Sequence, residues 1–275
     1  MKKEAVIVQR RGVKRKILAL DYDGVIADSN YECLAVGFNT YLKFRNDATL
    51  FNGKKFTYGN FKKLIHDHKN TVDRYEKLRP FAIDAFCWYV ILSILEENAK
   101  IKSQSEYNKI RNNLMPIYNE FVKEFYKERY RLQTENFEKW LTFVKPFKIV
   151  RSINQLKSRF VITIATNNME KTILGFLRKY DIPVQTIADK KLGINKLKQL
   201  EYIKNKHKVG FSDLYFVDDQ VLHFQNLMKL KVNCFLATWG YNNDEQKKYA
   251  QKIGAELLTE KDFYGKLIAK LDRKI

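Results

Sequence analysis

Cysteine, proline and glycine are all scarce in this chain of 275 residues, at three, four and eleven. The cysteines, Cys33, Cys87 and Cys234, are odd in number, far apart and set in apolar runs, and no Cys-x-x-Cys pair occurs. That usage argues against a disulfide framework and a zinc ribbon, and fits a reducing compartment. So little Gly and Pro argues against an all-β fold full of tight turns and against low-complexity linkers. Long hydrophobic runs are missing too. Residues 5–8 are too short for a signal-peptide core. Residues 81–95 fall short of the roughly 18 that a membrane-spanning helix needs, and Asp84 interrupts them. The expectation is a soluble cytoplasmic protein with no membrane partner.

Aromatics and positive charge are plentiful. There are 19 Phe, 16 Tyr and 3 Trp, which excludes a disordered chain. Lys and Arg number 51 against 31 Asp and Glu, for a net charge of +20. The excess is spread thinly apart from the run Arg10-Arg11-Gly12-Val13-Lys14-Arg15-Lys16, and 21–29 reverses it with three Asp and no base. A basic surface suits anionic partners, either phosphorylated metabolites or nucleic acid, or serves solubility alone. The N-terminal run reads as a hairpin edge turning at Gly12 or as a nucleic-acid contact, although it lacks the interleaved aromatics that stack on bases.

The two ends of the chain read as α/β. Five apolar, β-branched runs stand at 16–20, 160–165, 184–188, 214–217 and 232–237. Amphipathic segments at about 169–180, 195–206 and 219–230 separate the last four. This alternation predicts a Rossmann-like parallel sheet with helices on both faces, and a ligand at the carboxyl ends of the strands. Residues 30–145 instead hold helical stretches at about 29–43, 57–70, 81–98, 103–131 and 134–143, and no convincing strand. Ser103 and Glu106 suggest a capping box, and Pro116 divides or kinks the long stretch. Phe121, Phe125, Trp140 and Phe143 read as core. The expected organisation is a discontinuous α/β core, 1–29 with 146–275, and an inserted all-helical cap domain, 30–145.

The sharpest local signal is Leu20-Asp21-Tyr22-Asp23-Gly24, an apolar strand ending in two carboxylates at i and i+2. An extended backbone would aim both side chains the same way, and the turn then lets one attack while the other handles a proton. Asp and Gly are also ordinary turn formers. Three further strand ends or helix starts carry polar groups: Thr166-Asn167-Asn168, Lys196 behind a candidate N-cap Asn195, and Asp218-Asp219. The sheet would bring all of them to one edge. His66-Asp67-His68 sits in a helical stretch, where i and i+2 diverge, so it reads as a solvated face. Arg79, before Pro80 and between helical stretches, could reach a substrate anion, but reads rather as a surface arginine.

On these residues the sequence resembles the haloacid dehalogenase-like (HAD) superfamily, in its phosphatase branch. Asp21-Tyr22-Asp23-Gly24-Val25 is similar to the first motif, Thr166 to the second, Lys196 to the third and Asp218-Asp219 to the fourth. The resemblance covers roughly 15–29 and 146–241, and the insertion matches the family's cap in position and helicity. Trp239-Gly240-Tyr241 resembles a turn of phosphoglycolate-phosphatase-like members. Dehalogenases lack the second Asp, so Asp23 favours phosphate transfer.

The resemblance implies Asp21 as nucleophile and Asp23 as acid and base. Thr166, Asn167 and Lys196 would bind phosphate. Asp21, the backbone carbonyl of Asp23, Asp218 and Asp219 would hold Mg²⁺. A carboxylate attacking a phosphate dianion meets like charge, which a divalent cation and a lysine offset. The expected activity is Mg²⁺-dependent hydrolysis of a small phosphate monoester through an aspartyl phosphate. The alternatives are a nucleotide or polynucleotide end phosphatase, and a basic nucleic-acid-binding protein on the same scaffold.

Overall fold

The computed structural model describes residues 15–273. The hairpin or nucleic-acid contact expected around Gly12 lies outside the described residues. Among the described residues there are eight strands: β1 (Lys16–Leu20), β2 (Ala27–Asp28), β3 (Lys145–Pro146), β4 (Phe160–Ala165), β5 (Thr186–Ala188), β6 (Leu214–Asp218), β7 (Asn233–Ala237) and β8 (Glu256–Leu258). Six form one parallel sheet in the order β5-β4-β1-β6-β7-β8. Strand β1 lies at its centre, covered on both faces, which is why it is an unbroken apolar run. Leu18 and Leu20 join the core on one face, with Phe176 and Leu267. Ile17 and Ala19 join that on the other, with Leu200, Ile203 and Leu227. This is the period of two that a pleated strand imposes.

The register sets the site. Leu20 pairs with Ile164 of β4 and with Val217 of β6. The residues following in each strand therefore emerge side by side at the carboxyl edge.

The structure departs from the sequence expectations in several places. Strand β8 and the helices Asp244–Lys252 and Phe263–Asp272 had no counterpart in the reading, and they complete the sheet's far edge. Strand β5 starts at Thr186, not 184, and the N–H of Val184 turns back to Ile182 O at 2.9 Å instead of joining the ladder. The helix expected over 219–230 is a short 3₁₀ turn, Val221–His223, followed by Gln225–Lys229. The N–H of Gln220 is taken by Asp218 Oδ1 at 2.8 Å, which holds the preceding residues in a loop. Between β2 and β3 the chain is helical. Its principal helices are Asn30–Tyr41, Lys69–Leu78, Cys87–Glu96, Gln104–Leu114 and Tyr118–Glu135. Met115–Ile117, containing Pro116, divides the last two. Ser103 accepts from the N–H of Glu106, but the Glu106 carboxylate reaches Lys102 N at 2.7 Å, so the reciprocal half of a capping box is displaced by one residue. The segment is not wholly free of strand, because β3 at its end pairs antiparallel with β2. Among the described residues no helix is long and apolar enough to cross a membrane.

Aromatic residues fill the helical segment. Phe121, Phe125, Trp140 and Phe143 are all buried, and Tyr89 lies against both Tyr41 and Phe121, with ring centroids 5.1 and 5.2 Å away. Within this apolar mass sits an ion pair. Glu32 receives Arg129 Nε at 2.8 Å and Arg129 Nη2 at 2.5 Å, and Trp140 Nε1 at 3.3 Å. Both charged side chains are at most 5% exposed. Removing one partner strands a buried charge, which typically costs about 3–5 kcal/mol, whereas replacing both can be neutral. Glu32→Ala should therefore lose about that much in urea unfolding, and Glu32→Leu combined with Arg129→Met should recover most of it. A Glu32→Ala protein as stable as wild type would contradict this placement.

Candidate active site

Asp21 leaves the end of β1 with its N–H bonded to Val217 O of β6 at 2.9 Å. Its Oδ1 accepts from Tyr22 N at 2.7 Å and lies 3.0 Å from Lys196 Nζ. The chain then doubles back. Tyr22 O receives the N–H groups of Ile26 and Ala27, and Gly24 N donates to Ala27 O. Gly24 has a φ of 79°, and a Cβ there would lie 2.3 Å from Asp219 Oδ2. Both the turn and the approach of β6 demand glycine. Asp23 is held from two sides: Ser29 Oγ donates to its Oδ1 at 2.6 Å, and Asn168 Nδ2 to its Oδ2 at 3.3 Å.

Lys196 opens the helix Lys196–His207, with Asn195 as N-cap accepting from Leu197 N at 2.8 Å. Its ammonium is buried and bonded to Ala165 O at 2.7 Å. Asp218 Oδ2 lies 3.6 Å from the same nitrogen. Burial works against charge on Lys196, but Asp21 and Asp218 outweigh it and hold its pKa above the ordinary lysine value. Thr166 follows β4, fully buried, its hydroxyl accepting from Asn168 N at 3.1 Å. Asn167 forms part of the chamber wall, tied by its Oδ1 to Gln199 and by its backbone carbonyl to Tyr126 Oη.

The two acidic residues at the end of β6 differ. Asp218 is fully buried and accepts from Gln220 N and from His223 Nδ1, both at 2.8 Å. Burial disfavours its charge, but His223 and Lys196 prevail and hold it below the usual carboxylate range. Asp219 faces the chamber, and Tyr241 N donates to its Oδ2 at 2.7 Å. Burial pushes Asp219 up to about 8, with Asp218 adding to the shift and Arg79 opposing it. Burial likewise pushes Asp21 up to about 6, opposed by Lys196 and reinforced by Asp218. The turn after β7 presses in as closely as the first. A Cβ on Gly240 would meet Asp219 Cβ at 2.3 Å and Gly24 O at 2.4 Å.

These groups surround a cavity of about 60 Å³ roofed by the helical segment through Trp88, Phe125, Tyr126 and Arg129. Of the residues expected from sequence, Asp21, Asp23, Asn167 and Asp219 line it. Lys196, Thr166 and Asp218 stand behind that wall as its buried support. Several lining residues were not among the expected site residues, Arg79, Arg129 and His223 among them. Arg79 is not a surface arginine but 7% exposed, its guanidinium 3.8 Å from the Tyr241 ring centroid and 4.6 Å from that of Trp88. Arg129 reaches the cavity from the Glu32 pair. His223 brings a nitrogen to a cluster that the sequence suggested would be all oxygen. Asp21, Asp218 and His223 each place one ligand atom within 4.8 Å of the other two. The one sequence signal for His223 was its place five residues beyond Asp218, in a stretch that read as plain helix. His66 and His68 join no such group: His66 is exposed beside Asp67, and His68 packs on Phe51.

The donor set suits a hard divalent cation. Asp21, Asp218 and Asp219 offer carboxylate oxygens, and burial, with Asp218 adding to it, holds Asp21 and Asp219 above their ordinary values, so a bound cation would favour their ionised forms.

No model of a known protein family matches the chain, and no curated protein sequence matches it. Solved structures do. A predicted phosphatase from Clostridium acetobutylicum superposes with a TM-score of 0.55 at 13% identity, covering 94% of this chain and 100% of its own. A haloacid dehalogenase-like family hydrolase from Streptococcus pneumoniae gives 0.55 at 13%, covering 94% and 99%. A predicted phosphoglycolate phosphatase from Haemophilus somnus gives 0.56 at 14%, covering 92% and 97%. The chain therefore has the fold of haloacid dehalogenase-like phosphatases over nearly its whole length, helical insertion included.

Proposed function

We propose that the protein is a Mg²⁺-dependent phosphatase that hydrolyses phosphate monoesters through a phosphorylated Asp21. The observation that supports it most is the arrangement around Asp21. Its carboxylate sits at the mouth of three adjacent strands, with a buried lysine 3.0 Å away and a second carboxylate, Asp23, on the wall of the same cavity. The α/β core would be 1–29 with 146–275, and 30–145 the cap that closes over the substrate.

In this reading Asp21 attacks phosphorus and the ester oxygen leaves. Asp23, oriented by Ser29 and Asn168, gives that oxygen a proton and then takes one from the water that hydrolyses the aspartyl phosphate. Lys196 offsets the charge that Asp21 and the phosphoryl group bring together, while Asn167 and the Thr166 hydroxyl supply polar contacts to phosphoryl oxygens. Asp21, the Asp23 carbonyl, Asp219 and Asp218 would hold Mg²⁺, which when bound would neutralise charge on the transferring group. Arg79 and Arg129 add two cations to a small, enclosed chamber that suits a phosphoryl group.

Asp21→Asn removes the attacking anion and should abolish turnover of p-nitrophenyl phosphate. Its melting temperature should hold, since the lost charge was one that burial opposed. Asp23→Asn should spare the first step with this good leaving group and slow the second by roughly 10²–10⁴-fold, giving a burst in stopped flow. Wild-type turnover by Asp21→Asn would rule out the mechanism and leave a binding role for the scaffold.

The raised carboxyls carry a pH signature. Asp21 and Asp219 hold protons more tightly folded than unfolded, where carboxyls titrate near 4. Their contribution to stability is thus full below about pH 4 and lost as pH rises through about 6 and 8. The depressed Asp218 contributes in the opposite sense, but its effect is complete above about pH 4 and does not mask the trend. Metal-free protein should lose several degrees of Tm between pH 5 and 8, Mg²⁺ should restore them, and Asp219→Asn should flatten the decline. A decline in Asp219→Asn as steep as in wild type would contradict the assignment.

A further inference from the structure

The chamber at Asp21 is too small for much beyond the phosphoryl group, so most of the leaving group must lie outside it. One wall residue, Tyr126, is shared with a second and larger depression of about 540 Å³. Tyr126 lies on the helix Tyr118–Glu135, and its hydroxyl bonds to Asn167 O at 2.8 Å. The chamber and the depression thus meet at a single side chain bridging the helical segment and the sheet edge.

The depression is a groove between that helix, the start of the helix Glu170–Lys179 after β4, and the short 3₁₀ turn Lys190–Leu192 after β5. Asn119, Val122, Lys123, Tyr126, Lys127 and Tyr130 form one helix face, at spacings of three and four over about 16 Å. Met169, Lys171, Lys190 and Lys191 form the opposite wall. Five lysines line it and no carboxylate does. Elsewhere many lysines are paired, as in Lys63 with Asp67, Lys69 with Asp73 and Lys270 with Glu256. Among the described residues Lys123, Lys171, Lys190 and Lys191 have no carboxylate within ion-pair distance, and only Lys127 has one, Glu124. Two of them lie over aromatic rings instead: Lys190 Nζ is 4.0 Å from the centroid of Tyr126 and Lys171 Nζ 4.2 Å from that of Tyr130. Tyr130 is 44% exposed. Cations tracking a groove whose floor offers aromatic faces are what a flexible chain of phosphates and bases requires.

Resting on the phosphatase reading above, we propose that the groove binds single-stranded nucleic acid and that the substrate is the terminal phosphate of such a strand. The end phosphate enters the chamber past Tyr126, and the following nucleotides run along the groove, phosphates against the lysines and bases against Tyr126 and Tyr130. The terminal P–O bond breaks, the strand's oxygen takes a proton from Asp23, and water completes the hydrolysis to inorganic phosphate and a hydroxyl end. A small metabolite with one phosphate would leave the groove empty.

Binding and catalysis can be tested apart. Asp21→Asn protein should bind a fluorescein-labelled, 5′-phosphorylated octathymidylate in an anisotropy titration, with affinity falling steeply with salt. Adding Lys123→Gln, Lys171→Gln and Lys191→Gln should weaken binding tenfold or more and lower the slope of log K against log salt by about 2, at about 0.7 per lost phosphate contact. A thermal melt checks that the variant is folded. Unchanged affinity in a folded triple variant, or competition by a nucleoside 3′,5′-bisphosphate as strong as by the strand, would overturn the proposal. Turnover of p-nitrophenyl phosphate by wild type, which makes no use of the groove, tests the underlying reading separately. Its absence would remove the phosphatase and leave the strand-binding result standing.

Discussion

Burying several carboxylates in one place is costly, and the structure around the sheet edge is arranged to contain that cost. Asp21, Asp218 and Asp219 emerge from two neighbouring strands and are all buried. One ammonium, Lys196, lies between Asp21 and Asp218, and His223 bonds Asp218 from the other side. Those partners hold Asp218 below the usual carboxylate range, whereas burial, with Asp218 adding to it, pushes Asp21 up to about 6 and Asp219 up to about 8. In the proposed phosphatase, a divalent cation would draw both carboxyls into their charged forms beside the one that attacks.

The same crowding explains the backbone. Asp219 can lie over the first turn only because Gly24 and Gly240 carry no side chain. Two loops more than two hundred residues apart in sequence are stitched across it: Trp239 Nε1 donates to Val25 O, and Tyr241 Oη both accepts from Ser29 N and donates to Asp28. The helical segment is tied down in turn through Gln246 to Pro80 O and through Tyr126 to Asn167 O. Its roof over the site is thus anchored at several points of the sheet edge.

How much of this was legible in the sequence depended on whether the signal was local. Strand β1 is an apolar run that stops abruptly at Asp21, and β4 and β6 stop likewise at Thr166 and Asp218, so the sheet and its polar edge could be read directly. Strand β8 is three residues long at the sheet's margin, too short for a period of two to register. Arg79 and Arg129 were hidden for a different reason. They are two of 51 cations, and what distinguishes them is burial against Tyr241 and Glu32, which lie far away in sequence, with Trp88 as a nearer neighbour of Arg79. His223 was masked by the helical look of 219–230, because the turn that aims it at Asp218 is made by a side chain bonding to backbone. The lysine groove exists only once the helix Tyr118–Glu135 faces the helix start and 3₁₀ turn that follow β4 and β5, so a net charge of +20, which fits an anionic partner or solubility alone, pointed to no one place.

The central claim is that Asp21 becomes covalently phosphorylated, and it can be read chemically. Wild-type protein mixed with Mg²⁺ and a phosphate ester would be quenched in acid during turnover and treated with borohydride, which reduces an aspartyl phosphate to homoserine. It would then be digested for mass spectrometry. The account predicts homoserine at position 21 and nowhere else. Phosphorylation or reduction at Asp23 or His223 instead, or an unmodified Asp21 in protein that is turning over substrate, would contradict it.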